Sequence, residues 1–416
     1  MNKKGNVLAI GIMFFLFAMI SFVTGLQNPM GVIAKAQFGA TNLMSQLGNA
    51  ANFIAYAFMG LPAGFLLKGK GYKFTALTAI AIGFVGVGIS YLSGVFESFP
   101  VYLLGAFVSG FSMCMLNTVV NPLLNTLGGG GNKGNQLIQL GGSCNSLAAT
   151  IVPVLAGYLI GEVTEKTQVA DVNLALFIAM SIFALAFVII SLSTIPEPEL
   201  EAAAAAGEQK KEGTLESIKG AVSHKNLVFG VIAIFLYVGI EVGIPNMANL
   251  YMTSPDGLGM AAGVAGTLVG AYWFLMLCGR LVGGAVGAKV SSRAMMTFVS
   301  SIAIVFVLLG MFLPETMTMT LLDAQVPVGM VFFVLCGLCT SIMWGAIFNL
   351  AVEGLGKYTS IASGLFMVMV CGGGLLPLLQ GFVADKAGYI PSYWVIIAAL
   401  AYTLWFALAG SKVEKK

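Results

Sequence analysis

Charged residues are scarce in this chain of 416 residues: Asp, Glu, Lys and Arg together make up only 9% of it. A soluble globular domain carries about 25%. In their place, 58% of the residues are hydrophobic, and the mean hydropathy is +0.94. This composition excludes a soluble domain and predicts an all-α protein that crosses a lipid bilayer many times.

Histidine and cysteine are also in short supply. The single histidine, His224, lies in a polar stretch outside the apolar runs, which argues against a proton relay through histidine. All six cysteines lie in apolar runs, where they act as small hydrophobic residues, and the Cys336/Cys339 pair has no second pair of ligands. Without a His/Asp/Glu cluster or a nucleophile–base pair, the sequence predicts no enzyme, no metal and no cofactor.

Twelve apolar stretches are long enough to cross a membrane, since one crossing needs about 20 residues. Numbered as spans 1 to 12 in chain order, they cover 7–29, 43–67, 73–95, 100–126, 136–160, 172–194, 226–251, 261–288, 293–313, 326–352, 359–383 and 391–411.

The basic residues give the predicted orientation. If both termini lie in the cytoplasm, sixteen of the 20 Lys and Arg fall on that side, and only Lys35, Lys166 and Lys386 fall outside. Positive charge concentrates in cytoplasmic loops, so we expect this topology. The basic residues are then topology signals, and no nucleic-acid partner is expected.

One long polar segment divides the twelve spans into two groups of six. The halves resemble each other weakly: Val152–Gly157 in span 5 matches Leu376–Gly381 in span 11. We predict an N-terminal six-helix bundle (1–194), a cytoplasmic linker (195–225) and a C-terminal six-helix bundle (226–416). Such a repeat is typical of transporters with a binding site at the repeat interface.

Glu241 is a carboxylate in the middle of span 7. Placing a charged residue at the centre of a membrane helix costs about 2.5–3.5 kcal/mol on insertion scales, so such residues face a wet cavity or a partner. The functional interpretation is that Glu241 binds a substrate or the ion that moves with it. The structural alternative is that it pairs with another polar helix.

Amide side chains recur at helical spacing in several spans, as Asn117, Asn121 and Asn125 do in span 4. Amides donate and accept hydrogen bonds, as sugar hydroxyls require, and indole rings suit the apolar face of a sugar. The alternative is that these amides only join helices to each other. The predicted substrate-binding residues are Gln46, Asn49, Asn117, Asn121, Gln139, Asn145, Glu241, Asn249, Trp273, Trp344 and Asn349.

Arg280 is the other charge within a span, about two turns from the predicted cytoplasmic end of span 8. Its position favours a role in gating or helix packing near that end. The sequence does not reveal whether Arg280 contacts Glu241.

Several motifs, spread over nearly the whole chain, resemble the major facilitator superfamily, and in particular its fucose–galactose–glucose:proton symporter family. They are Gly60–Lys73, Asn121–Gly128 with Asn145-Ser146, Tyr237–Glu241, Gly279-Arg280, Phe348–Gly356, and Gly372–Pro377 with Gly381.

Some positions depart from the family pattern. Lys68 stands where the usual superfamily loop has an Asp, and Gly25 and Asn117 stand where the fucose branch has acids in helices 1 and 4. A Glu in helix 7 is more like the glucose/galactose branch. The resemblance therefore points to a hexose and leaves Glu241 for ion coupling.

The resemblance implies a monomeric transporter of the cell inner membrane that imports sugar by alternating access, driven by a proton or Na⁺ gradient. Three alternatives stay open. They are an uncoupled sugar facilitator, an exporter of drugs or amphiphiles, and a membrane sugar sensor that does not transport.

Overall fold

The computed structural model describes residues 3–38, 42–160, 172–198, 200–201, 214–254, 257–321 and 324–413, and most of these residues are helical. The α-helices are Lys3–Phe38, Asn42–Val95, Phe99–Leu127, Gly131–Ile160, Asn173–Leu192, Thr214–Val222, Lys225–Thr253, Ala262–Val286, Ser292–Phe312, Val328–Thr340, Met343–Val352, Thr359–Val368, Gly372–Ala387 and Tyr393–Trp405. Short 3₁₀ turns cover Gly356–Tyr358 and Met369–Cys371, and a π-helical turn covers Phe406–Gly410.

Ten segments of the described chain are long and apolar enough to cross a membrane. One of them, Ala50–Val95, has 46 residues and contains most of span 2 and all of span 3. Span 5 is the more polar helix Gly131–Ile160. Every predicted span is therefore represented by a helix, and the linker contains the short helix Thr214–Val222.

Two spans are broken, and one hairpin was not predicted. Span 10 is interrupted between Thr340 and Met343, and span 11 changes to a 3₁₀ turn at Met369–Cys371. After span 9, the strands Thr318–Leu321 and Ala324–Pro327 pair antiparallel, with Thr318 opposite Pro327. A search for long apolar runs cannot detect strands of four residues.

By its internal contacts the chain divides into two compact units. The first comprises Met1–Leu127, Cys144–Ala221 and Leu355–Val368, and the second comprises Gly128–Ser143, Val222–Gly354 and Met369–Lys416. Helix Gly131–Ile160 and span 11 each contribute to both units. The six-plus-six division at residues 195–225 stays a prediction.

In the first unit, Gly71 separates spans 2 and 3. Its φ of 83° lies in the left-handed region, where a side chain is strained. Glu197, which follows span 6, accepts hydrogen bonds from the backbone N–H groups of Tyr72 (2.6 Å) and Lys73 (2.8 Å). Partial burial raises the pKa of Glu197. The carboxylate thus satisfies amides at the start of span 3, where the helix dipole favours a negative charge.

Glycines in the same unit let span 2 and span 11 approach closely. A Cβ on Gly364 would lie 2.6 Å from the Gly60 carbonyl oxygen and 3.0 Å from the Gly64 Cα. Glycine is therefore required here because two backbones are in contact.

We expect Gly364→Ala to lower the unfolding midpoint in detergent, because a Cβ forced against backbone costs about 1–3 kcal/mol. Gly381→Ala is the matched control in the same span, since its Cβ would meet nothing within 4 Å. Equal midpoints for the two variants would contradict the close contact.

We expect Glu197→Ala to lower the same midpoint by the equivalent of about 1–2 kcal/mol, the usual cost of losing a helix cap. Glu201→Ala is the control, because Glu201 is exposed. A loss of stability in the control but not in Glu197→Ala would show that the carboxylate does not stabilise the start of span 3.

Candidate functional site

The two charged residues within the spans of the second unit form an ion pair. Glu241 lies on helix Lys225–Thr253 and Arg280 on helix Ala262–Val286. Arg280 Nη2 is 3.3 Å from Glu241 Oε1, and the two side chains are only 11% and 14% exposed. A counter-charge thus replaces the water that the carboxylate would have outside the membrane.

The remaining nitrogens of Arg280 also have partners. Nη1 donates to the carbonyl oxygen of Gly142 at 3.1 Å, and Nε donates to that of Ser341 at 3.3 Å. Gly142 belongs to span 5, and Ser341 lies at the break in span 10. The guanidinium therefore contacts residues of spans 5, 7 and 10 from its own position on span 8. A gating role for Arg280 stays a prediction.

A buried tyrosine, Tyr237, lies beside the ion pair. The Tyr237 ring is fully buried, its hydroxyl lies in the electrostatic field of Glu241 and Arg280, and its centroid is 6.3 Å from that of Trp344 in an edge-on arrangement. Trp273 is 36% exposed. The structure thus brings Glu241 and Arg280 together, adds Tyr237 beside them, and places Trp344 next to Tyr237.

A second tyrosine, Tyr272, contacts the backbone of Glu241. Its hydroxyl lies 3.1 Å from the Glu241 carbonyl oxygen and 3.0 Å from Thr340 Oγ1. Tyr272 was not among the residues predicted from the sequence. The available signal was Pro245, which removes the helical N–H partner of that carbonyl, but nothing in the sequence names the donor that replaces it.

The predicted amides of the second unit lie at different places. Gln139 Nε2 donates to the Ile342 carbonyl oxygen at 2.7 Å, next to the Arg280 partner Ser341. Asn349 Nδ2 donates to Ser292 Oγ at 2.9 Å, at the start of helix Ser292–Phe312. Asn249 is half-buried, two turns beyond Glu241. Gln139 therefore neighbours the ion pair, while Asn349 joins spans 9 and 10.

Two of the three predicted amides described in the first unit bind neighbouring helices. Asn117 Nδ2 donates to the Tyr56 hydroxyl at 3.1 Å, and Asn145 Nδ2 donates to the Phe17 carbonyl oxygen at 3.0 Å. Asn121 Nδ2 donates to the carbonyl oxygen of Asn117 at 2.9 Å, within one helix. The bonds of Asn117 and Asn145 are those that the packing interpretation predicts. Asn117 Nδ2 also donates to the Met113 carbonyl oxygen at 3.1 Å, within its own helix.

Two predicted residues, Gln46 and Asn49, have side chains outside those that the structure describes. Among the described residues, no group of three or more His, Cys, Asp and Glu side chains is placed to hold a metal ion.

The sequence pattern of the Major Facilitator Superfamily matches residues 12–377 of this chain. The chain belongs to the major facilitator superfamily. It is therefore a multi-pass membrane transporter rather than an enzyme, and the predicted all-α fold with twelve transmembrane helices is confirmed.

Named relatives confirm the resemblance to the fucose–galactose–glucose:proton symporter family. The chain is 28% identical to the glucose/galactose transporter of Brucella abortus over 414 residues, which are 99% of this chain and 96% of that protein. It is 24% identical to the L-fucose–proton symporter of Escherichia coli over 417 residues, covering 95% and 90%. The crystal structure of the major facilitator transporter FucP in the outward conformation matches with a TM-score of 0.82 at 21% identity, covering 98% of this chain and 100% of that one.

The ion pair predicts a non-additive double-mutant cycle. We expect Glu241→Gln and Arg280→Gln each to lower the unfolding midpoint in detergent, because removing one partner leaves the other charge unpaired. The double variant should lose less than the sum, with a coupling of about 0.5–3 kcal/mol.

The control cycle combines Arg280→Gln with Glu353→Gln, since Glu353 is an exposed acid. We expect additive changes there. Additive changes in the Glu241 cycle would contradict a direct interaction between the two side chains.

Proposed function

We propose that this protein is a secondary active hexose transporter, which imports sugar by alternating access coupled to a proton or Na⁺ gradient. The observation that carries the proposal is the Glu241–Arg280 pair within the spans. Its relatives named as glucose/galactose transporters support the choice of sugar. The relative named as an L-fucose–proton symporter supports the choice of a proton.

Glu241 would couple the two movements by changing charge. The carboxylate of the pair is the group that would take up and release the coupling proton. A proton on Glu241 removes the ionic attraction and leaves Arg280 with the carbonyl oxygens of Gly142 and Ser341. The protonated carboxyl also gains a hydrogen-bond donor. Loading a proton would therefore loosen the link between spans 7 and 8. The ion-paired form and the protonated form would then be the two states that alternating access requires.

The sugar would bind beside this pair. Rings of Trp344 and Trp273 suit the apolar face of a hexose, as in many sites where a ring meets an aromatic side chain. The amides Gln46, Asn49, Asn117, Asn121, Gln139, Asn145, Asn249 and Asn349 are proposed to bind its hydroxyls. We further propose that the monomer lies in the cell inner membrane with both termini in the cytoplasm.

We expect the purified protein in liposomes to accumulate labelled glucose above equilibrium under an imposed inward proton gradient. Glu241→Gln should retain sugar exchange but lose accumulation, because a neutral amide cannot carry the coupling proton. The matched control Glu353→Gln changes an exposed acid and should accumulate sugar like the unaltered protein.

Each departure from this result has its own meaning. Accumulation by Glu241→Gln would show that Glu241 is not the coupling residue. Accumulation under a Na⁺ gradient alone would change the ion, and equilibration without accumulation would indicate a facilitator. Absence of uptake, with no competition by unlabelled hexoses, would overturn the choice of sugar and favour amphiphile export or a sensor.

A further inference from the structure

We propose that Tyr272 is a positioning residue for coupling. Its hydroxyl supplies the hydrogen bond that Pro245 removes from the helix at Glu241, and it thereby holds the Glu241 carboxylate against Arg280. The functional part of this inference rests on the proposed role of Glu241 in coupling.

Pro245 leaves the helix backbone incomplete at Glu241. In an α-helix the carbonyl oxygen of each residue accepts from the N–H four residues later. Residue 245 is a proline within helix Lys225–Thr253, so the Glu241 carbonyl has no such donor. At membrane depth a carbonyl left without a donor is costly, since no water replaces the bond.

Tyr272 provides the missing donor. Its hydroxyl lies 3.1 Å from the Glu241 carbonyl oxygen, and its side chain is buried in the next helix along the chain. Thr340 Oγ1 lies 3.0 Å from the same hydroxyl, and it also donates to the Cys336 carbonyl oxygen at 3.1 Å. The backbone at Tyr272 is also held, because a Cβ on Gly337 would collide with the Tyr272 carbonyl oxygen. Tyr272 is thus a fixed donor.

One helix therefore holds Glu241 at two points. Tyr272 binds its backbone and Arg280 binds its carboxylate, and these two residues lie eight positions apart on helix Ala262–Val286, a separation of about 12 Å along the axis. If the backbone contact is lost, helix Lys225–Thr253 is free to bend at Pro245, and the carboxylate shifts relative to the guanidinium. A carboxylate held less closely to its counter-charge takes up a proton more readily.

The first test is the pH dependence of glucose accumulation in liposomes. We expect Tyr272→Phe to move the midpoint of this pH dependence to higher pH by about half a unit or more. Sugar exchange measured at one fixed pH should be retained. Tyr393→Phe is the matched control. That hydroxyl donates to the Ile244 carbonyl oxygen at 2.9 Å, but residue 248 is an alanine with its own N–H. The control should leave the midpoint unchanged.

Pro245→Ala provides the rescue, because it returns an N–H to the Glu241 carbonyl. We expect Tyr272→Phe to shift the pH midpoint when Pro245 is present and to have little effect when it is combined with Pro245→Ala. An unchanged midpoint in Tyr272→Phe, an equal shift with and without Pro245→Ala, or the same shift in Tyr393→Phe would each overturn the proposal.

Thermal unfolding in detergent separates this inference from the proposed function. The four proteins compared are the unaltered chain, Tyr272→Phe, Pro245→Ala and the double variant. We expect Tyr272→Phe to lower the unfolding midpoint more when Pro245 is present than when it is combined with Pro245→Ala. This expectation does not depend on what the protein transports. If this difference appears while Glu241→Gln still accumulates sugar, the hydrogen bond stands and the coupling role of Glu241 fails. If the difference is absent, Tyr272 does not replace the lost N–H.

Discussion

A carboxylate inside a bilayer stays ionised only where a counter-charge and hydrogen-bond donors take the place of water. For Glu241 the counter-charge comes from Arg280, whose own remaining nitrogens are satisfied by carbonyl oxygens of Gly142 and Ser341. Spans 5, 7, 8 and 10 each contribute a group to this arrangement. The break in span 10 provides the Ser341 carbonyl oxygen that the guanidinium binds.

Backbone hydrogen bonding imposes the same requirement on the uncharged parts of the helices. Pro245 and Gly71 both leave groups without their usual helical partners, and in both places a side chain from elsewhere in the chain is the replacement. Tyr272 serves in the membrane, and Glu197 serves at the end of a span. These two irregular positions are thus places where distant segments of the chain are tied together.

Composition and apolar run lengths were sufficient to predict the twelve spans, because each span must by itself be long and apolar enough to cross the bilayer. Glu241 was identifiable for a similar local reason, since a lone acid in an apolar run is conspicuous. The pairing of Glu241 with Arg280 was not identifiable, because the two residues are 39 positions apart and come together only when two helices pack. Gly142 and Tyr272 were missed because a backbone carbonyl and a buried phenol look ordinary in sequence. The strands Thr318–Leu321 and Ala324–Pro327 were missed because they are shorter than any membrane pattern.

The bond between Glu197 and the start of span 3 has a consequence for biosynthesis. The Tyr72 amide and the carboxylate that it binds are 125 residues apart, so Tyr72 is translated long before Glu197. Until Glu197 has been made, the amides at Tyr72 and Lys73 lack this partner. The first six spans therefore acquire this closing contact after span 6 has emerged from the ribosome, and a nascent chain that stops before residue 197 lacks it altogether.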